Sequence, residues 1–69
     1  MSNWFTETRI AWIRESVDIF GHVNRHHVMK KFDVSHSQAS LDLREVQHRH
    51  PDLIDYDRSG KRYVRKVVS

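Results

Sequence analysis

Cysteine is absent from this 69-residue chain, which excludes a disulfide scaffold, a CxxC redox pair and a thiolate zinc site. The fold must be held by packing alone, as expected of an intracellular protein, and a chain this short buries only about 60% of the surface that its unfolded form exposes. No apolar run approaches the ~20 residues that span a bilayer, and Met1-Ser2-Asn3-Trp4-Phe5-Thr6-Glu7 has no basic stretch leading into an apolar one. A cytoplasmic protein with no membrane partner is the expectation. Also lacking are an HExxH motif, a nucleophile elbow, a phosphate-cradling glycine loop and paired carboxylates set for a cleft, so neither an enzyme nor a cofactor is expected. No internal repeat, linker or low-complexity segment divides the chain, and residues 1–69 read as a single domain. Function must then be a property of a surface.

Charge is what the chain has in quantity: 12 Lys and Arg against 9 Asp and Glu, for a net +3. Residues 1–21 carry two basic and three acidic side chains, residues 22–51 five and three, and residues 52–69 five and three. The positive excess therefore sits in the last two thirds of the chain and favours an acidic or polyanionic partner there. Six histidines are also present. Neither His22 with His26 nor His48-Arg49-His50 comes with the three or four convergent ligands that zinc requires, so they read as surface groups that gain charge near neutral pH rather than as a metal site.

Apolar periodicity places three helices. Ile10, Ile13, Val17 and Phe20 recur at spacings of three and four between Thr6, a candidate N-cap, and Gly21, a candidate stop. Asn24 can cap a short second helix whose inward face is Val28, Met29 and Phe32 and which ends at Asp33. Ser35 can cap a third that runs to His48 or Arg49, where Pro51 prevents extension, with Ala39, Leu43 and Val46 as its buried stripe. Downstream, Leu53 to Asp57 and Lys61 to Val67 are rich in β-branched and aromatic residues. The Arg58-Ser59-Gly60 turn between them makes a hairpin, with Gly60 free to take positive φ. His22-Val23 can add a third short strand. The expected fold is mainly α with a small β-hairpin, three helices plus a C-terminal β-wing, which is the order of a winged helix-turn-helix.

Within that order, Asp33 to Leu43 reads as the turn and recognition helix. With Ala39, Leu43 and Val46 inward, a rotation of about 100° per residue puts Ser37, Leu41, Arg44 and His48 on the opposite face, with Ser40 beside them and Gln38 on the other flank. Gln38 can pair with adenine and Arg44 with guanine, Ser37 and Ser40 with several base edges, and Leu41 can pack on a thymine methyl. Ser35, His36 and the free N–H groups of the first turn suit a phosphate, as do Asn24 and Arg25 at the start of the second helix. The wing supplies Arg58, Ser59, Lys61 and Arg62 for the flanking backbone or minor groove. From Arg58 to Lys66 it carries five cations and no acid. Tyr56 and Tyr63, one on each strand, are expected to pair across the sheet.

The set Val34-Ser35, Gln38-Ala39-Ser40, Asp42-Leu43, Pro51, Tyr56-Asp57, Lys61 and Tyr63 resembles the N-terminal winged helix-turn-helix domain of bacterial WYL-domain transcriptional regulators, and more distantly DeoR-like repressors. The resemblance covers about residues 9–65, and Phe20-Gly21-His22-Val23-Asn24-Arg25 is similar to the segment that joins the first two helices in that group. Asp33 departs from the glycine common at the motif's turn. The resemblance implies a repressor-like regulator, bacterial or phage, that binds duplex operator DNA as a dimer. It also implies downstream ligand-sensing domains, which leaves open a free-standing regulator or a piece of a larger one. Trp4, Trp12 and Ile19 are the candidate homodimer seam. The alternative is a protein-interaction module of a phage or mobile element, without DNA readout, for which the same residues and Phe5 would be the docking patch.

Overall fold

A computed structural model describes residues 3–66. It has three helices, α1 (Trp4–Phe20), α2 (Arg25–Phe32) and α3 (His36–Arg49), and three strands, β1 (His22–Val23), β2 (Ile54–Asp57) and β3 (Arg62–Arg65). The strands form one antiparallel sheet in the order β1-β3-β2. This is the winged helix-turn-helix expected from the sequence, with His22-Val23 as the third strand. No helix among the described residues is long and apolar enough to cross a membrane.

The first helix starts three residues before the expected start. Asn3 caps it, its side chain accepting from the Thr6 N–H at 2.8 Å, and Thr6 lies inside the first turn. Both residues are good caps, and the added turn carries exposed Trp4 and Phe5, so the buried stripe gives no sign of it. At the other end Gly21 adopts φ 84 and donates its N–H to the Val17 carbonyl, the left-handed stop that glycine takes without a Cβ clash. Phe20 is 70% exposed rather than part of the buried stripe. The turn at Gly21 brings Val23 back to close that end of the core, and Ser16 shares the buried face with Ile10, Ile13 and Val17.

The other helices follow their caps. The Asn24 side chain accepts from the His27 N–H while His27 Nδ1 accepts from the Asn24 N–H, a reciprocal pairing that satisfies two donors at the start of α2. Asp33 ends this helix at φ 53, ψ 48, a left-handed conformation that aspartate tolerates better than most residues. Ser35 caps α3 by accepting from the Gln38 N–H at 3.1 Å. Ala39, Leu43 and Val46 are all buried, as the periodicity predicts. They join Ile10, Ile13, Val17, Val23, Val28 and Ile54 in a single core, against which Met29, Phe32 and Trp12 pack while half-buried. Trp12 meets Phe32 edge to face at 5.4 Å.

In the hairpin, Tyr56 stands opposite Tyr63 and Asp57 opposite Arg62. Both strands are shorter than their sequence limits, although Lys66 still donates its N–H to the Leu53 carbonyl. Val67 lies outside the described residues. Positive φ falls on Lys61 (φ 51) and not on Gly60. What Gly60 supplies is space: a Cβ there would lie 2.7 Å from Asp57 Oδ2 and 3.0 Å from Arg62 Nε, in the path of the ion pair those side chains make.

Candidate nucleic-acid interface

The buried stripe of α3 decides which of its side chains face out. His36, Ser37, Leu41, Arg44 and His48 are exposed, Leu41 by 57%, while Gln38 and Ser40 are half-buried at the flanks. The helix is held to α1 at its middle and at its end. Midway along it, Asp42 is 2% exposed and accepts from Arg9 Nε at 2.5 Å and from Gln38 Nε2 at 2.9 Å. At its end, Arg49 donates to both carboxylate oxygens of Glu7 at 2.9 Å and to Glu45 at 3.0 Å. Donating to the Glu7 and Glu45 carboxylates holds the Arg49 guanidinium above its usual range, so it stays charged.

Asp42 is the residue that sequence reasoning missed. Its signal was present, since position 42 lies on the same arc as Ala39, Leu43 and Val46, and an acid on a buried arc requires a cation. The bond to Asp42 engages one of the two Gln38 amide hydrogens, which leaves its carbonyl oxygen and the other N–H for a partner. Asn24 and Ser35 likewise have their side-chain oxygens engaged in helix caps.

The wing's positive ridge is narrower than its sequence. Arg62 pairs with Asp57 at 3.6 Å, Arg65 donates to the Asp18 carbonyl at 2.9 Å and Lys66 to the Pro51 carbonyl at 3.4 Å. Arg58, Ser59 and Lys61 remain exposed at the tip, where the Ser59 N–H donates to Asp57. Among the described residues, Arg25, Arg44, Arg58 and Lys61 form no ion pair.

Three of those four cations converge. Arg25 from α2, Arg44 from α3 and Lys61 from the wing line one cleft of about 260 Å³, together with Ser40, Tyr56 and Tyr63. Arg25 Nη1 lies 3.5 Å from Ser40 Oγ. The tyrosine rings meet edge to face at 4.9 Å, as expected of a cross-strand pair. Tyr63 packs on the core, whereas Tyr56 is 41% exposed and is a cleft residue that the packing role did not suggest. Burial pushes the Tyr63 phenol up, against the opposing fields of Arg44 and Arg25, so the phenol keeps its proton.

A larger cavity, about 500 Å³, lies between α1, β1 and α2, with Trp12, Phe20 and Val23 among its walls and Lys30 and Lys31 lining it as well. It contains none of the expected DNA-contacting residues. His22 also lines it, and there its ring neighbour is His27 at 6.1 Å rather than His26.

Comparison with known proteins gives the same fold and a regulator context. Residues 4–67 match the family profile described as the BrxR transcriptional regulator winged helix-turn-helix domain. Two relatives, each named DNA-binding transcriptional repressor CapW, come from Escherichia coli strain KTE188 and from Escherichia coli. Both are 36% identical over 62 residues, covering 90% of this chain and 21% of the relative. The chain thus spans about a fifth of the length of the curated relatives it matches. The resemblance to the N-terminal winged helix-turn-helix domain of WYL-domain regulators holds on this footing.

Proposed function

Because the chain belongs to the family of BrxR transcriptional regulator winged helix-turn-helix domains, we propose that it binds duplex DNA as the operator-reading part of a repressor-like regulator. In this reading α3 lies in the major groove, and the wing rests on the flanking backbone or minor groove. The observation that carries it is the exposed outer face of α3 beside a cleft lined by Arg25, Arg44 and Lys61, which form no ion pair among the described residues. Polyanionic DNA would supply the counter-charge that the fold leaves out.

Within that surface the side chains differ in what they offer. Ser37 and Leu41 are exposed and not held by scaffold contacts, so they are the base readers. Gln38, with one amide hydrogen held by Asp42, keeps its carbonyl oxygen and its second N–H for a base edge. His36 and Ser37, in the first turn of α3, place backbone N–H groups and side chains where a phosphate would sit, with Ser35 fixing the turn. Asn24 does the same for α2 by capping, which orients Arg25.

Titration with random duplex DNA at two salt concentrations tests the reading. Binding that is independent of sequence and weakens steeply with salt is the expected result. No binding at low salt would refute it and favour the protein-interaction module, for which Trp4, Phe5, Trp12 and Ile19 would be the patch. We assign the same patch to a homodimer seam. Trp4 and Ile19 are both 72% exposed, and a single domain reads only one short half-site. Trp12 contributes its outer edge, since the rest of the ring packs on Phe32. Sedimentation of wild type and Ile19→Arg, with only the wild type dimeric, is the check.

A further inference from the structure

We propose that the cleft between α2, α3 and the wing clamps a single DNA phosphodiester, on which Arg25, Arg44 and Lys61 converge, so that Arg44 anchors the complex rather than reading a base. This rests on the DNA-binding reading and assigns one part of that surface. Three observations carry it. Cations from three separate elements line one cavity, and among the described residues none of them has a carboxylate partner. Like charges gathered in one cleft repel one another, and an anion between them removes that repulsion. The lining also fits a phosphate in its hydrogen-bonding character: two guanidiniums and an ammonium donate and cannot accept, and Ser40 Oγ and the Tyr56 phenol can donate as well.

A guanine edge presents only the N7 and O6 acceptors in the major groove, enough for one of these cations but not for three, whereas the anionic oxygens of a phosphodiester can accept from all of them. The backbone supports the same assignment. Lys61 adopts φ 51 beside a glycine that does not use positive φ, so the turn places its left-handed residue at the lysine that lines the cleft. Arg25 is steered from the other side by its contact with Ser40. The tyrosine pair forms the wall facing the helices, and the protonated Tyr63 phenol adds no negative charge to repel a phosphate.

The test uses an operator selected from a random library by the 69-residue protein, with each phosphate replaced in turn by a neutral methylphosphonate. Wild-type affinity should fall at least about tenfold at one phosphate per bound chain, the loss expected when a charge-assisted contact is removed. R25A, R44A and K61A should each bind the unmodified operator more weakly and show a smaller loss than wild type at that same phosphate, since two of the three cations remain, and the triple variant should show none. R44K should retain most of the sensitivity, and sites selected by R44A should keep the wild-type base preference. The triple variant should flatten the salt dependence by about one unit, because one phosphate is involved, rather than by about three.

Sensitivity reduced at three different phosphates, one for each variant, overturns the clamp, as does a relaxed base preference in R44A. Either result leaves DNA binding intact. A wild-type protein that binds no duplex at low salt would overturn the DNA reading and the clamp together. Thermal melts of each variant matching wild type establish that the losses are not losses of fold, as expected for exposed Arg25, Arg44 and Lys61.

Discussion

Asp42→Ala should destabilise this protein more than any single change on the exposed face of α3. The carboxylate is 2% exposed, accepts from Arg9 and Gln38, and ties α3 to α1 across 33 residues of sequence. Removing one member of a buried ion pair leaves the other charge unpaired, at about 3–5 kcal/mol. Arg9 retains 13% exposure and a 3.4 Å contact with Thr6 Oγ1, so part of its hydration returns and the lower end, about 3 kcal/mol, applies. A domain of this length holds roughly 3–10 kcal/mol in total, so the variant should lose a third of its stability or more. Its thermal midpoint should fall by about 12–24 °C, at 4–8 °C per kcal/mol for a small domain. Far-UV circular dichroism against temperature and urea measures both quantities. The Arg9→Met/Asp42→Leu double variant, which leaves no orphaned charge, should recover most of the loss. An Asp42→Ala variant within about 0.5 kcal/mol of wild type, as for an ordinary surface change, would refute the reasoning, as would strictly additive single and double variants.

The remaining predictions concern caps and readers. Asn24→Ala removes both halves of the reciprocal cap with His27 and should cost about 1 kcal/mol in urea unfolding, with a further loss of DNA affinity because α2 no longer starts where Arg25 needs it. Leu41→Ala, at a 57% exposed position, should leave stability within about 0.5 kcal/mol of wild type. Sites selected by that variant should lose a preference for thymine at one position. Arg58→Ala should weaken all duplexes alike and lower the salt slope by about one unit, measured by anisotropy titration over a range of salt.

The parts of the fold that were legible in the sequence are those governed by local rules. Asn24 and Ser35 marked helix starts because a cap acts within three residues, and Ala39, Leu43 and Val46 marked the buried stripe of α3 because a helix repeats its face over so short a span. The same rules did not choose between Asn3 and Thr6, two good caps three residues apart, since the turn between them carries exposed aromatics. Nor did they place Phe20: periodicity reports which way a side chain points, not where the helix runs past the body of the domain. Turn composition located the wing's bend, but which residue takes positive φ depends on the strand register, and that put it on Lys61.

By itself, the sequence determined three capped helices and a hairpin, a positive excess in the last two thirds of the chain, and an α3 face of Ser37, Leu41, Arg44 and His48 opposite a buried stripe. Each of these rests on spacing between near neighbours. Only the tertiary structure decided which charges remain free. Arg9, Arg49 and Arg62 find carboxylates 33 and 42 residues away and across a hairpin, whereas Arg25, Arg44 and Lys61 meet in one cleft without one among the described residues. Counter-charge is a matter of distance in space, and chain folding sets that distance independently of sequence separation.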